Sequence, residues 1–501
     1  MEKDTDMEKA PSSPVVQDIA EAQTEAYQTP GFTRKHPFLQ RLASWGVELH
    51  GVTPVPVEDR TSTRYINIFF VWFTMSINLL PIVTGMVGTL GFGMSLRDTS
   101  LLILFFSLFC TIFPAYFCTL GARTGLRQML HARYTFGYYL VSIVVLLNLA
   151  TIGGFGVIDA VVGGSTLSAV SNGNVNDTVG IVIITILALL VSFAGYKALH
   201  QYERYAWLPA LIAIIIATGC GGKHLSHQVE TEPPAASLII SFGGVIAGYM
   251  IPWAAMASDF AVYCHPSVST ARIFWYSYAG LLVPSVLLMI LGAAIGGAAP
   301  NVPSWSDGYD RYSAGGVLEA MLKPAGGFGK FVAVILAFSL LGNIAATMYS
   351  VTLNCQLLIP VLVRVPRAAF AVLYTAVCIP LSIYAAKNFF DSLENFIYVI
   401  AYWSADFVAV VSIEHFVFRR ADCATYDLAI WDVPRKLPSG IAAMAACALS
   451  FALIVPCMGQ VWYTGPLAEK AGDIGFEVGL CLSAVLYLPF RWAEIRYRKQ
   501  L

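Results

Sequence analysis

The chain has 501 residues, 57% of them hydrophobic and only 12% charged, where an ordinary soluble domain is about 25% charged. So little charge excludes a soluble globular protein of this size. Near-balance between 30 basic and 31 acidic residues excludes an electrostatic nucleic-acid partner, and the 10 cysteines, scattered singly without CxxC or metal spacing, exclude a disulfide framework and a metal site.

Residues 1–60 are acidic, polar and proline-containing, without the apolar stretch of a signal peptide. They read as a disordered cytoplasmic tail, in which Ser12 and Ser13 are open to modification. Apolar windows long enough to cross a bilayer, about 20 residues each, then lie at 66–92, 99–120, 135–168, 178–196, 205–220, 237–262, 273–298, 330–358, 368–386, 392–417, 438–457 and 474–491. They are numbered here as spans one to twelve. An even number of spans puts both termini on one side, and lysine and arginine decide which. Arg123, Arg127, Arg133, Lys197, Arg204, Arg272, Arg364, Arg367, Arg419 and Arg420 fall in loops on the terminal side, so that side is read as cytoplasmic. The sequon Asn176-Asp177-Thr178 then falls outside.

Span one reads WFTMSINLLPIVTGMVGTLGFG, with Pro81 and Gly85 interrupting it and Ser76 and Asn78 beside the interruption. Span six, SFGGVIAGYMIPWAAMASDF, is interrupted at Gly248 and Pro252, and a hinge is expected between Gly248 and Ala255. These are the first members of two five-helix halves. Paired interruptions in matching places mark an inverted-repeat carrier, because unwound backbone at membrane depth is tolerated only where it lines a cavity. Glycine and proline are also common in packed transmembrane helices, and that accounts for either break taken alone.

The stretch GLRQMLHARY between spans two and three reads as an amphipathic interfacial helix under the cytoplasmic face. Two acids lie in mid-span, Asp159 and Asp406. Asp159 in span three follows Phe155 by four residues, so the two share a helix face. A charge there costs roughly 2.5–3.5 kcal/mol on insertion, which makes it a functional residue by default. It has three readings: carrying a coupling proton, bonding a ring N–H of the substrate, or a structural hydrogen bond. Asp406 in span ten is a second proton site or a scaffold contact, and Asp259, where span six reaches the cytoplasm near Lys197 and Arg204, is a gate or packing ion pair.

Seven stretches, in order along the chain, resemble the fungal purine-cytosine permease branch of the nucleobase-cation symporter family. They are GARTGLRQMLHARYTFGYY, VIDAVVGG, WAAMASDFAVY, GNIAATMYSVTLNCQLL, DSLENFIYVIAYWSA, WDVPRKLPSGIAA and GQVWYTGPLAEKAGDIGFEVG. The resemblance implies an all-α polytopic membrane protein with 12 transmembrane helices, ten forming a LeuT-like 5+5 inverted repeat and two more at the C-terminus. The expected division is a transport core at 61–420, a cytoplasmic loop at 421–436, two further helices at 437–491 and a cytoplasmic tail at 492–501. It implies a plasma-membrane symporter, coupled to H+ as fungal members are, with no cofactor, no enzymatic activity and the lipid bilayer as surroundings; oligomeric state stays open.

A nucleobase is flat with donors and acceptors on its edge, so its site needs stacking faces and an amide. Spans one, three, six and eight surround the central cavity in the resembled fold, which makes Ser76, Asn78, Phe155, Asp159, Trp253 and Asn343 the expected substrate residues. The chain departs from the family pattern at Pro81 and Val83, at Phe155 and Asp159, and at Ile344–Ala346. Carriage of pyridoxine or another small heteroaromatic, and a non-transporting nutrient receptor, are therefore the alternatives.

Overall fold

The computed structural model describes residues 53–500 other than Ala194, Pro360, Val361, Val363, Arg364 and Pro366, with backbone alone for 195–204 and Arg367. The acidic tail with Ser12 and Ser13, and the side chains of Lys197, Arg204, Arg364 and Arg367, lie outside the described residues. Every one of the windows numbered one to twelve falls on helix. Among the described residues, eight helical runs are long and apolar enough to cross a membrane, or nine with the bent pair of span one, and the helices Asp177–Phe193 and Ile441–Cys457 are apolar but shorter.

Span one is two helices, Ile66–Ser76 and Leu79–Gly91, bent by 53°. The break sits at Ile77–Asn78, not at Pro81 and Gly85 as the sequence suggested. Asn78 is extended, its Oδ1 accepts the N–H of Leu80 at 2.8 Å, and its Nδ2 donates to the Met75 carbonyl at 2.8 Å. One amide thus satisfies a carbonyl left open by the first half and caps the second. Pro81 lies in the first turn of the second half, where its missing N–H costs nothing. Gly85 serves a close crossing: a Cβ there would overlap the Met289 backbone of span seven, and one at Gly292 would overlap that of Ile82.

Span six is regular helix over Ala236–Met250 and then turns to 3-10 geometry over Ile251–Ala255 and Ala257–Phe260, on either side of Met256. Pro252 opens the irregular part, as expected. Gly248 does not: it is within the regular helix, and a Cβ would overlap the Ile397 carbonyl of span ten. Its small size lets two helices touch, a different use of glycine from bending one.

The helix within GLRQMLHARY is also corrected. It runs Gln128–Phe136 and every residue in it is buried, so it is no surface anchor. The Gln128 N–H is capped by Asp259 Oδ1 at 2.7 Å, and Tyr134 and Arg133 donate to the carbonyls of Asp427 and Trp431 in the segment after span ten. Both faces of the helix therefore meet protein. At the opposite end, a helical hairpin unforeseen in the sequence covers Pro303–Leu322, kinked at Tyr312 and Ser313, and a short β-pair joins Gly459–Gln460 to Tyr463–Thr464. Spans eleven and twelve pack on each other, and span twelve on span ten.

Candidate functional site

Where spans one and six are broken, the freed backbone borders a small cavity of about 20 Å³, room for about one water, with spans three and eight on its other sides. Met75, Thr151, Ile152, Phe155, Pro252, Trp253, Met256, Asn343, Ala346, Thr347 and Ser350 line it. The rings of Phe155 and Trp253 lie nearly parallel, 20° apart in tilt with centroids 6.5 Å apart. Both rings line the same cavity, and a flat ring held between two aromatic faces needs them about 7 Å apart, two carbon contacts of about 3.5 Å. Edge-on neighbours hold both faces: Phe396 and Tyr249 against Phe155, and Trp72 against Trp253. Gly154 leaves room for the Phe396 ring, which a Cβ would strike.

Asn343 supplies the polar edge. Its Nδ2 donates to Asp159 Oδ2 at 2.6 Å, which fixes the amide orientation. Asp159 is fully buried behind Asn343 and does not line the cavity. Its other oxygen, Oδ1, has no hydrogen-bond partner among the described residues, and neither has Trp253 Nε1. Trp253 Nε1, a donor with unused capacity on a residue of the cavity lining, suits a ligand that brings its own acceptor. Opposite Asn343, Trp403 Nε1 donates to Thr151 Oγ1 at 2.9 Å, so span ten sets the direction of a hydroxyl on the cavity lining.

Of the residues expected at the site, Phe155, Trp253, Asn343 and Pro252 line the cavity, and Asp159 contacts it through Asn343. Ser76 bonds the Trp72 carbonyl at 2.9 Å, Asn78 is engaged in joining its two half-helices, and neither lines the cavity. Asp406 also lies off it, accepting from Ser450 of span eleven while its Oδ1 faces Gly479 of span twelve. Pro81, Gly85 and Gly248 are packing positions, and Asp259 caps the buried inner helix. Thr151, Thr347 and Ser350 were not singled out, although the spacing was readable. Asn343, Thr347 and Ser350 recur at i, i+4 and i+7, as Thr151 and Phe155 do at i and i+4, giving each helix one polar face amid apolar sequence.

Comparison with known proteins gives a consistent assignment. Residues 54–479 match the family model described as permease for cytosine/purines, uracil, thiamine, allantoin. The chain is 35% identical to the purine-cytosine permease fcyB of Emericella nidulans over 99% of this chain and 98% of that one. It is 34% identical to the purine-cytosine permease FCY2 of Saccharomyces cerevisiae, over 92% and 88%, and 27% identical to that organism's vitamin B6 transporter TPN1, over 91% and 89%. Among solved structures, Mhp1, a nucleobase-cation-symport-1 family transporter in a closed conformation with bromovinylhydantoin bound, superposes with a TM-score of 0.68 at 15% identity, covering 89% of this chain and 96% of that one. That likeness shows the fold, which is the inverted-repeat carrier architecture. With broken spans meeting at a buried aromatic cavity and a family model matched along most of its length, the chain belongs to the membrane permeases of the cytosine/purine, uracil, thiamine and allantoin family and is not an enzyme.

Proposed function

We propose that this permease takes purine bases and cytosine into the cell together with a proton, by alternating access around the cavity between Phe155 and Trp253. The observation that carries this reading is the parallel ring pair with the Asn343 amide at its edge. Stacking on both faces accepts any flat heterocycle, and an amide offers both a donor and an acceptor to its rim. The fungal relatives, purine-cytosine permeases by name, support the substrate class.

Asp159 is the proposed proton carrier. It is buried, within a span, and has one oxygen without a partner among the described residues. Because its other oxygen holds Asn343, a change in its protonation changes what that amide presents to the ring. Proton and substrate are thereby linked through one hydrogen bond. Asp406 also has one oxygen without a partner among the described residues, but it is bonded to Ser450 away from the cavity and touches none of its lining, and on that ground it is assigned to the scaffold. Asp259 acts on the inner gate, since its bond to the Gln128 N–H ties the end of span six to the buried inner helix. The basic residues of the loops support an orientation with both termini in the cytoplasm.

The test is uptake of labelled cytosine, adenine and hypoxanthine into cells lacking their own carriers, at acidic and neutral external pH, with unlabelled pyridoxine as competitor. Uptake that rises in acid and resists pyridoxine supports the proposal. Strong competition by pyridoxine moves the substrate class toward that of the vitamin B6 relative, and surface expression without accumulation of any labelled base rejects base transport.

A further inference from the structure

The polar faces that line the cavity continue past it. On span three Asn148 lies one turn before Thr151, and on span eight Asn354 lies one turn after Ser350, so each is on its helix's cavity-facing side, roughly 5 Å further along the axis. Both are buried, at 0% and 2% exposure. Asn148 Nδ2 donates to Asn354 Oδ1 at 3.1 Å, and Asn354 Nδ2 donates to the Ser350 carbonyl at 2.8 Å. Asn148 Oδ1 has no partner among the described residues. Beyond the pair the seam closes where Ser142 donates to the Leu358 carbonyl at 3.0 Å. This is the end at which span three begins and span eight finishes, the side read as cytoplasmic.

A buried amide pair that uses only part of its bonding capacity is a poor choice for holding two apolar helices together, since each unmet group carries a desolvation cost. It is well suited to exchange. The N–H and C=O along the rim of a purine or pyrimidine have the same alternation as a primary amide, so a base can take the place of one asparagine opposite the other and also satisfy Asn148 Oδ1. We propose that Asn148 and Asn354 form a second, inner station for the transported ring, occupied after it leaves Phe155 and Trp253 and before it reaches the cytoplasm. The proposal rests on the base-transport reading given above.

The test replaces both amides by apolar groups of similar size, N148L together with N354L, in the full chain expressed in carrier-free cells. Surface level, half-saturating concentration, maximal uptake rate and efflux of preloaded labelled base are compared with the unsubstituted chain. An inner station predicts a half-saturating concentration within about twofold, because the central cavity is untouched, and maximal uptake and efflux both reduced by at least about tenfold at equal surface level. If the pair only joined two helices, the leucines would preserve the packing and leave the rates unchanged, which would overturn the station. Should the leucine pair not reach the surface, N148S and N354S are read by the same criterion, reduced rate without altered half-saturation against unchanged rate. Absence of base uptake by the unsubstituted chain overturns the substrate class and this station with it. Normal uptake by that chain beside an unimpaired double variant overturns the station alone.

Discussion

Asp159 and Glu414 are both buried carboxylates in the helical core, yet their surroundings differ in kind. Glu414, at the inner end of span ten, has both oxygens engaged twice: Arg491 holds it through two nitrogens, Arg419 Nε donates at 3.0 Å and Tyr487 Oη at 2.8 Å. Among the described residues, Asp159 has a single bond, from Asn343, and one oxygen without a partner. Saturation distinguishes a carboxylate that fastens spans ten and twelve from one with capacity left for a ligand or a proton. The same contrast separates Asp473, which accepts from Tyr402 and from the N–H groups of Gly459 and Gly475, from the half-used amides beside the cavity.

The contrast is broken most forcefully at its saturated side. E414Q leaves the buried Arg419 without the carboxylate that neutralises it and Arg491 with Glu494 alone, which is expected to cost about 3–5 kcal/mol. The expected outcome is little protein at the membrane and a clearly lowered melting temperature on purification. Normal amount and melting would show that saturation is no mark of a fastening role. D159N should do the reverse, with normal surface level and melting, and base uptake that no longer accumulates against a gradient or responds to external acid. Retained acid-stimulated accumulation would transfer proton coupling elsewhere. W253A removes one stacking face worth about 1–3 kcal/mol, so the half-saturating concentration should rise roughly five- to a hundred-and-fifty-fold in the protein that reaches the surface, as uptake against substrate concentration will show.

The smallest effect is expected at His131, which sharpens the comparison with a neutral group. Burial, with His415 and Arg419 nearby, keeps its imidazole well below the ordinary value of 6.5, and neither ring nitrogen has a hydrogen-bond partner among the described residues. Below about pH 6.5 the unfolded chain therefore takes up a proton that the folded chain refuses. The stabilisation is complete above that pH and declines as the pH falls. H131F keeps a ring against Tyr426, whose centroid is 4.2 Å away, and should narrow the difference in melting temperature between about pH 7.5 and about pH 5. An undiminished difference would place that titration at other residues.

Much of this was legible in the sequence, but unevenly. Long apolar windows gave the helices because hydrophobicity over about 20 residues is a local property. The breaks in spans one and six were visible from their glycines and prolines, yet Pro81, Gly85 and Gly248 proved to be packing positions and Asn78 the residue at the break. A glycine that bends a helix and one that lets a neighbour approach look alike until the neighbour is known, and Met289 and Ile397 are far along the chain. Phe155 and Trp253 could be named because stacking depends on residue type and depth alone. Asp159 lies on the face of Phe155, as its spacing required, but its turn toward Asn343 is set by span eight. The helix Gln128–Phe136 looked amphipathic because the protein that covers its polar face comes from residues near 430.

That last contact also bears on how the protein is made. Tyr134 donates to the carbonyl of Asp427, 293 residues later. At about 5–20 residues per second, a ribosome needs on the order of fifteen seconds to a minute to supply the covering segment. Through that interval the nascent chain holds a helix of Gln, His, Arg and Tyr side chains whose final neighbours do not yet exist. This end of the helical bundle is therefore among the last parts of the molecule to be completed, and truncation before residue 427 leaves it open even though the ten preceding spans have nearly all been synthesised.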